Sequence, residues 1–365
     1  MIVKNLRLRN FRNYEKTELV LNPGMNLITG ENAQGKTNLL ESLVVLSLTR
    51  SHRISSDKQM IRHEAEFAEI GCIFEDRTDK RIDVIIHPEG KTLLVKKQPV
   101  KKSSEFIGLL NVILFSPDDM GIFTDAPRER RKMLNQEITK VSPGYLSALS
   151  GYQNLLKNRN ILLKQEHPDI RYLDVLDEQM IGLSVKIIQE RRRFVSYINS
   201  RMPEYYRNLS GSDLTGVIRY LSIADESDDI EGQLRDLYMN MRLRDLEYHV
   251  TGNGIHREDI EFDLDGMNVT LAASQGQKRM ILLSFKLALM KFAEELSGKT
   301  PVLLLDDVLS ELDLIRQQRL IQMIQNRCQC IITATEYPSF LKQHEITEFC
   351  IENGTIVNKT EGGLL

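Results

Sequence analysis

The sequence predicts an α/β protein with a mixed sheet and a helical insertion between the two parts of the chain that form the sheet. Two short apolar runs, MNLIT at 25–29 and VLLL at 302–305, are typical of strands buried on both faces of a parallel sheet. A polar segment follows each run at its carboxyl end. Between them, residues 128–248 carry apolar stripes at helical spacing, which predicts a lobe of packed helices.

The segment after the first buried run fits the pattern GxxxxGK[ST], and an apolar helix pattern, KTNLLESLVVLSL, follows it. A strand, this loop and a helix form a phosphate-binding loop, because the loop N–H groups face an anion. We expect Lys36 to neutralise the β- and γ-phosphates and the Thr37 hydroxyl to ligate Mg²⁺. The candidate ATP-binding residues of this loop are Gly30, Glu31, Asn32, Ala33, Gln34, Gly35, Lys36 and Thr37.

Composition limits the functions that the chain can perform. With 365 residues, 41% of them hydrophobic, the chain can bury a large core, and two lobes are expected. A net charge of −3 gives no overall positive field, so any DNA binding must use a local patch. The four cysteines lack CxxC spacing, and no stretch of 18 apolar residues occurs. We therefore expect a soluble, cytoplasmic protein without a membrane partner.

Residues 1–29 predict strands that lead into the loop. Leu6, Leu8 and Phe11 alternate with arginines, and the chain then reverses at Arg12 and Asn13. Both residues of this turn are candidates to flank a nucleotide.

Beyond the loop helix, three short strand patterns at 69–76, 81–87 and 92–100 predict an antiparallel meander. The turn signals between them are Asp79-Lys80 and the segment 88–90. Five lysines fall within twelve residues here, and they fit either a solvated sheet edge or a DNA-facing patch. These lysines are Lys91, Lys96, Lys97, Lys101 and Lys102.

The insertion is predicted to be mostly helical, with a short coiled-coil-like hairpin at its centre. Its longest apolar stripe starts at Leu173 and is bracketed by Pro168 and Pro203, and the turn 165–169 joins it to an earlier helix. We expect a head domain of residues 1–127 and 249–365 and a helical arm of residues 128–248. The arm arginines that could contact DNA, or could equally be solvated, are Arg128, Arg130, Arg131, Arg191, Arg192 and Arg193.

The second buried run delivers Asp306 and Asp307 to the carboxyl end of the sheet, where open α/β sheets bind ligands. In a protein with a phosphate-binding loop, the first acid holds Mg²⁺ and the second can polarise the attacking water. Some thirty residues earlier, Ser274-Gln275-Gly276-Gln277 opens a long helix, so it could form a second anion site or simply an N-cap. Two phosphate sites in one chain make sense if two copies face each other.

The order GENAQGKT, SQGQ, LLLDD and SELD resembles the ATP-binding-cassette heads of the SMC-like DNA-repair ATPases. The segments FRNY, SHR, FSPDD, PRERR and HRED support the resemblance over nearly the whole chain. It implies a P-loop NTPase head that uses ATP and Mg²⁺, with Lys36, Asp306 and Asp307 as catalytic residues and with Thr37 and Asp306 as metal ligands. It also implies that Ser274, Gly276 and Gln277 form the signature motif that contacts ATP and that residues 310–313 form the D-loop.

The resemblance further implies an ATP-dependent DNA-binding protein of recombinational repair that dimerises on ATP. Its DNA would be double-stranded or a single-strand/duplex junction, and it would help to load RecA at single-stranded gaps with RecR and RecO. Asp307 stands where cassette ATPases usually have Glu, IITAT is followed by no switch histidine, and no glutamine marks a Q-loop after VILF. These departures predict slow hydrolysis and a timer or clamp rather than a motor with high flux. With the resemblance, they imply a weak, DNA-stimulated ATPase.

The alternative reading is the ATPase subunit of a transporter or of another SMC-like complex. A transporter subunit is expected to have a full LSGGQ, a switch histidine and a shorter helical segment, and this chain has none of these. A chromosome-organising SMC protein needs hundreds of heptad residues, which about 120 residues of arm cannot supply. A small-metabolite kinase is disfavoured by the SQGQ segment followed by LLLDD.

Overall fold

The computed structural model describes residues 1–226 and 229–362, which divide into two compact units. The head unit comprises residues 1–120, 204–213 and 279–362, and the arm unit comprises residues 121–203, 214–226 and 229–278. Residues 249–278, assigned to the head from the sequence, thus belong to the arm unit by their contacts. The sequence-based boundaries remain a prediction about which segments fold separately.

The described residues form fifteen strands in three sheets. The strands are β1 (Ile2–Phe11), β2 (Tyr14–Val20), β3 (Met25–Thr29), β4 (Ala68–Asp76), β5 (Thr78–His87), β6 (Gly90–Val95), β7 (Gln98–Pro99), β8 (Val112–Phe115), β9 (Gly216–Leu221), β10 (Asp259–Leu264), β11 (Met267–Asn268), β12 (Val302–Leu305), β13 (Cys330–Ala334), β14 (Ile346–Glu352) and β15 (Thr355–Gly362). The strand patterns predicted near 69–76, 81–87 and 92–100 are confirmed as β4 to β7, and the turn Asn353-Gly354 joins β14 to β15.

Eight α-helices accompany these strands in the described part of the chain. They are α1 (Lys36–Leu48), α2 (Pro127–Thr139), α3 (Pro143–Leu163), α4 (Ile170–Ser210), α5 (Ile230–Tyr248), α6 (Val269–Ala272), α7 (Gln275–Ser297) and α8 (Leu314–Ile324). Short 3₁₀ turns link several of them. None of the helices within residues 1–226 and 229–362 combines the length and apolar composition needed to cross a bilayer.

The head unit is built on two six-stranded sheets. One is an antiparallel sheet in the order β2-β1-β4-β5-β6-β7, and the other is a mixed sheet in the order β15-β14-β3-β13-β12-β8. Strands β14, β3, β13, β12 and β8 are parallel neighbours, so their carboxyl ends share one edge. The segments that follow β3, β12 and β8 therefore meet at this edge, where open α/β sheets bind ligands. This confirms the predicted α/β class with a mixed sheet.

The arm unit contains α2, α3, α5, α6, most of α4, the first residues of α7 and the sheet β11-β10-β9. Strand β9 was missed because residues 128–248 were interpreted as helical, and its partner β10 lies some forty residues away in sequence. Two fully buried arginines join the helices. Arg159 pairs with Asp177 at 2.6 Å and Asp245 at 2.7 Å, and Arg191 pairs with Glu258. Arm packing is therefore ionic as well as apolar.

Two local predictions were wrong. Pro203 does not end the long helix, because the apolar face continues through buried Met202, Tyr206 and Leu209, and packing of that face outweighs the lost hydrogen bond. The turn between β4 and β5 lies at Arg77, with φ of 60°, and not at Asp79-Lys80, because the apolar alternation of both strands fixes a register that pairs residues 76 and 78.

Candidate nucleotide-binding site

The loop between β3 and α1 needs glycine at two positions. Gly30 has φ of 149° and Gly35 has φ of 115°, and residues that carry a side chain rarely adopt these backbone conformations. A Cβ at Gly30 would collide with the Ile351 carbonyl oxygen, and one at Gly35 would lie 2.6 Å from the Asn13 amide nitrogen. The loop therefore winds tightly against its neighbours and ends directly at the N-terminus of α1.

Lys36 begins α1, and its ammonium group points back over the loop. Its Nζ donates hydrogen bonds to the carbonyl oxygens of Gly30 and Glu31, the latter at 2.8 Å. Burial lowers the pKa of Lys36, while the nearby carboxylates of Asp307 and Asp306 act to raise it. A poorly hydrated cation held over backbone N–H groups favours binding of a phosphate anion.

Thr37 and Asp306 come together from opposite ends of the sequence. The Thr37 hydroxyl donates to Asp306 Oδ1 at 3.0 Å, and the Thr333 hydroxyl donates to the same oxygen at 2.8 Å. Hydroxyl and carboxylate oxygens are the ligands that Mg²⁺ prefers, and Mg²⁺ takes its remaining ligands from water and phosphate. Among the described residues, no cluster of three or more His, Cys, Asp or Glu could hold a metal. Thr37 and Asp306 alone are too few to hold a metal, but they fit a Mg²⁺ that takes its other ligands from a bound nucleotide and water.

Asp307 is held in an unusual backbone conformation beside Asp306. Its φ is 52°, and its N–H donates to the Thr333 hydroxyl at 2.9 Å. Its Oδ1 is buried and has no hydrogen-bond partner among the described residues. Strained backbone and an unpaired polar atom are both frequent at functional sites. An unpaired carboxylate oxygen at this position can accept a hydrogen bond from a water molecule.

These groups surround a cavity of about 380 Å³ within the head unit. Its lining comes from the loop, from the first turn of α1 and from segments at the carboxyl ends of β12 and β13. The lining residues are Asn32, Ala33, Gly35, Lys36, Thr37, Asn38, Arg53, Asp306, Asp307 and Thr333. Sequence reasoning missed Asn38, Arg53 and Thr333. The basic run RSHR directly after α1 was a signal for Arg53, whereas Thr333 lies in a strand pattern without a distinguishing feature.

Arg12 contacts helix α1, and Asn13 contacts the loop itself. The Arg12 guanidinium is bound by both carboxylate oxygens of Glu41, at 2.8 and 2.6 Å, because this fully buried carboxylate needs a cationic partner. Asn13 donates to the Gln34 carbonyl at 2.8 Å and accepts a hydrogen bond from Asn38. Neither side chain is part of the cavity lining given above, so their predicted contact with the nucleotide remains a proposal.

Comparison with known proteins identifies the family. A family model described as RecF/RecN/SMC N terminal domain matches residues 2–357. The chain is 37% identical over 369 residues to the DNA replication and repair protein RecF of Bacillus velezensis, covering 98% of this chain and 100% of that protein. The chain belongs to the RecF family. A RecF of Agathobacter rectalis is 40% identical over 348 residues, which cover 94% of each chain.

Solved structures agree with this assignment. The recombination mediator protein RecF–ATP of the RecFOR pathway is 32% identical to this RecF-family chain, with a TM-score of 0.90 over 98% of this chain and 97% of that one. The Smc head domain of Pyrococcus furiosus is 18% identical, with a TM-score of 0.58 over 99% and 96% of the two chains, and so shares the fold alone. The predicted family resemblance is confirmed.

The predicted signature segment of this RecF-family chain, residues 274–277, opens helix α7. Ser274 N–H donates to Gln277 Oε1 at 2.8 Å, and Gln277 N–H donates to Ser274 Oγ at 3.3 Å. This reciprocal pair is a capping box, which leaves Ser274 exposed at the helix N-terminus. A Cβ placed on Gly276 would meet nothing within 4 Å. The predicted N-cap is therefore present, and packing within the described chain gives no reason for glycine at 276.

The predicted D-loop, residues 310–313, contacts the cavity residue Asp307 and helix α7. The Ser310 hydroxyl donates to the Asp307 carbonyl at 2.7 Å, and Gln317 donates to the carbonyls of Leu309 and Leu312. Arg279 of α7 forms an ion pair with Glu311 at 2.9 Å. The segment next to Asp307 and the helix that begins at the signature are thus linked within the head unit.

The predicted DNA-contacting cations fall into two groups in the RecF-family structure. Several side chains are exposed, namely Lys96, Lys97, Lys101, Lys102, Arg128 and Arg193. The others are engaged within the chain. Lys91 pairs with Asp57, Arg130 with Asp259, and Arg191 with Glu258, while Arg131 donates to the Glu258 carbonyl and Arg192 to those of Ala224 and Asp225. The exposed cations could therefore contact DNA as they stand, whereas the others would first have to give up a contact within the chain.

Proposed function

We propose that this chain is an ATP-controlled DNA-binding protein of recombinational repair, which dimerises when both copies hold ATP and helps to load RecA at single-stranded gaps. The cavity supplies the elements that ATP and Mg²⁺ require, namely the loop N–H groups, Lys36, and the Thr37–Asp306 pair. Membership of the RecF family and the likeness to the RecF–ATP structure support the assignment. RecR and RecO are the partners that this role implies.

Hydrolysis in this site needs few groups. A water oxygen attacks the γ-phosphorus in line, the bond to the bridging oxygen breaks, and ADP and phosphate are formed. Asp307 is placed to accept a hydrogen bond from that water, and its single methylene reaches less far than Glu. Lys36 neutralises charge on the phosphates, and Mg²⁺, when bound, adds further stabilisation of that charge. We therefore expect a weak ATPase, stimulated by DNA, in which turnover serves as a timer.

The proposal that a second copy completes the site rests on Gly276. A helical glycine costs about 1 kcal/mol relative to alanine, and no neighbour among the described residues would collide with a Cβ there. The cost is explained if another molecule approaches the backbone closely. An exposed serine, a glycine and a helix N-terminus favour an anion, which in a facing copy would be the γ-phosphate.

Ser274→Arg is expected to abolish the ATP-dependent dimer, because a long cation would occupy the space that the facing phosphate needs. Light scattering with ATP and Mg²⁺ should show a dimer for the wild type and a monomer for this variant. Ser200→Arg, an exposed serine on α4, should dimerise as the wild type does. A Ser274→Arg variant that still dimerises and still binds DNA in an ATP-dependent way would contradict the proposal.

Alanine substitution of two glycines tests the close approach of a second copy without introducing a charge. Gly276 and Gly182 are both helical, and a Cβ on either would meet nothing within 4 Å. Alanine at either position should raise the free energy of unfolding by about 0.5–1 kcal/mol. Only Gly276→Ala should also weaken the dimer, by roughly tenfold if a methyl overpacks the contact by about 1.4 kcal/mol. Equal dimerisation of both variants would argue against a close approach at Gly276.

A further inference from the structure

The two-residue turn between β14 and β15 contacts the phosphate-binding loop through its main chain. Asn353 has φ of 48° and Gly354 has φ of 73°, which is typical of a type I′ hairpin turn. The Gly354 N–H donates to the Gln34 carbonyl at 3.0 Å, and the Asn353 N–H donates to Gln34 Oε1 at 2.5 Å. We call these two hydrogen bonds the hairpin contact. Both N–H groups of the turn are therefore bound by one residue of the loop.

Neighbouring side chains fix the turn and the loop to each other. The Gln34 carbonyl also accepts a hydrogen bond from Asn13 Nδ2 at 2.8 Å. The Gly354 carbonyl accepts one from the Thr17 hydroxyl of β2 at 3.0 Å. All of these residues belong to the head unit. The position of the loop at Gln34 is therefore set by three donors from two other segments of the same unit.

The direction of the Gln34 carbonyl decides where the next N–H group points. The peptide is trans, so this carbonyl and the Gly35 N–H point in opposite directions. The carbonyl faces the turn, which is not part of the cavity lining given above, and the Gly35 N–H therefore points away from the turn. Gly35 lines the cavity, and no described residue accepts its N–H. An N–H with a fixed direction and no internal acceptor is a donor for a phosphate oxygen.

Close packing adds a second reason for glycine at 354. Gly354 is buried, and a Cβ there would lie 2.6 Å from the Asn13 carbonyl oxygen. The turn Asp265-Gly266 between β10 and β11 also has two positive φ values, 54° and 85°, yet a Cβ on Gly266 would meet nothing within 4 Å. A type I′ turn favours glycine at both places. Of the two glycines, Gly354 alone also has a backbone neighbour that leaves no room for a side chain.

We propose that Gln34 and Gly354 are positioning residues for ATP, because the hairpin contact holds the N–H groups of the loop towards the phosphates before a nucleotide arrives. This inference rests on the proposed function, since it concerns how that site binds ATP. Donors that are already oriented need not be ordered on binding. If the released loop is competent only one tenth of the time, its apparent Kd for ATP rises about tenfold. The groups that act on bound ATP are unchanged, so kcat stays nearly the same.

The first test compares the full-length wild type, Gly354→Ala and the control Gly266→Ala by equilibrium titration with a fluorescent ATP analogue and Mg²⁺. Gly354→Ala pushes the turn away from Asn13 and breaks the hairpin contact, so its Kd should rise about tenfold. Gly266→Ala bears a comparable backbone strain in the arm unit and should bind as the wild type does. ATP turnover with duplex DNA should show a raised KM and a nearly unchanged kcat for Gly354→Ala.

Gln34→Ala tests the same contact from the side of the loop, where the substitution creates no collision. It removes the acceptor of the Asn353 N–H, so Kd should rise about three- to tenfold, as for the loss of one hydrogen bond. The matched control is Gln98→Ala, an exposed glutamine on β7 of the same unit, which should bind as the wild type does. The melting temperatures of both variants without nucleotide should equal that of the wild type.

The outcomes distinguish this inference from the proposed function. If Gln34→Ala binds ATP as Gln98→Ala does, or if the kcat of either hairpin-contact variant falls as much as its KM rises, the inference is wrong, whether or not Gly354→Ala is folded. A wild type that binds no ATP would instead contradict the proposed function, and the inference with it.

Discussion

Replacing Lys36 with alanine is expected to weaken ATP binding by about a hundredfold. The ammonium group lies over the loop and is the cation that the Gly30 and Glu31 carbonyls hold at the start of α1. Its loss removes two charge-assisted contacts to phosphate, each contributing about 1.5 kcal/mol, and about 1.4 kcal/mol corresponds to a factor of ten. Equilibrium titration with a fluorescent ATP analogue measures the change directly.

The matched control for this variant is Lys16→Ala, an exposed lysine on β2 of the same unit. It should bind ATP as the wild type does. Lys36→Ala should retain its melting temperature without nucleotide, because Lys36 forms no ion pair with any described residue and its pKa is lowered by burial. An affinity within threefold of the wild type would show that the loop does not bind phosphate through Lys36.

Glu41→Ala is expected to destabilise the head unit by about 3–5 kcal/mol, because it leaves the Arg12 guanidinium without its buried partner. The Glu41 side chain is fully buried and holds Arg12 and Ser51 at once. Chemical denaturation followed by circular dichroism measures the loss. Since Ser51 precedes His52 and Arg53, ATP turnover should fall as well, even at temperatures where the variant is folded.

Glu15→Ala is the matched control, because Glu15 also pairs with an arginine, Arg62 at 3.3 Å, but is 77% exposed. An exposed pair contributes about 0–1 kcal/mol, so this variant should be nearly as stable as the wild type. If Glu41→Ala costs no more than Glu15→Ala, Glu41 does not organise the segment behind the cavity.

The same carboxylate gives a pH dependence with a defined sign. Burial acts to raise the pKa of Glu41, but hydrogen bonds from Arg12 and Ser51 outweigh burial and lower the pKa below its ordinary value of 4.5. The stabilisation by Glu41 is therefore complete above the ordinary carboxyl pKa. It is lost as pH falls through the lowered pKa of the folded state.

Much of the site could be predicted from the sequence, because phosphate binding requires particular residue types at fixed positions in one short segment. A turn with positive φ requires the glycines at 30 and 35, and phosphate requires N–H groups and a cation immediately after them. Asp306 could be predicted because four apolar residues before an acid indicate a buried strand that ends at a ligand site. The parallel register of β3, β13 and β12 then brings Thr37 and Asp306 together.

The partners of charged residues could not be predicted from the sequence, because they depend on long-range contacts. The contact of Arg12 with the nucleotide stays a prediction, but its ion pair with Glu41, an acid inside an apolar helix twenty-nine residues away, required the structure. Arg191 looked like a surface cation, and its burial depends on Glu258, sixty-seven residues further on. The ion-pair partner of a charged residue cannot be identified from the sequence when the two residues are far apart in the chain. For this reason, strand β9 and the cavity position of Arg53 also required the structure.

Control of DNA binding by ATP is tested by the affinity for duplex DNA with ATP, with ADP and without nucleotide, for the wild type and for Lys36→Arg. DNA contacts made mainly to phosphates predict steep salt dependence and little sequence preference. We expect tight binding by the wild type only with ATP and Mg²⁺, and a weaker response to ATP in Lys36→Arg. Wild-type DNA affinity that is the same in all three nucleotide states would contradict the proposed ATP-controlled DNA binding.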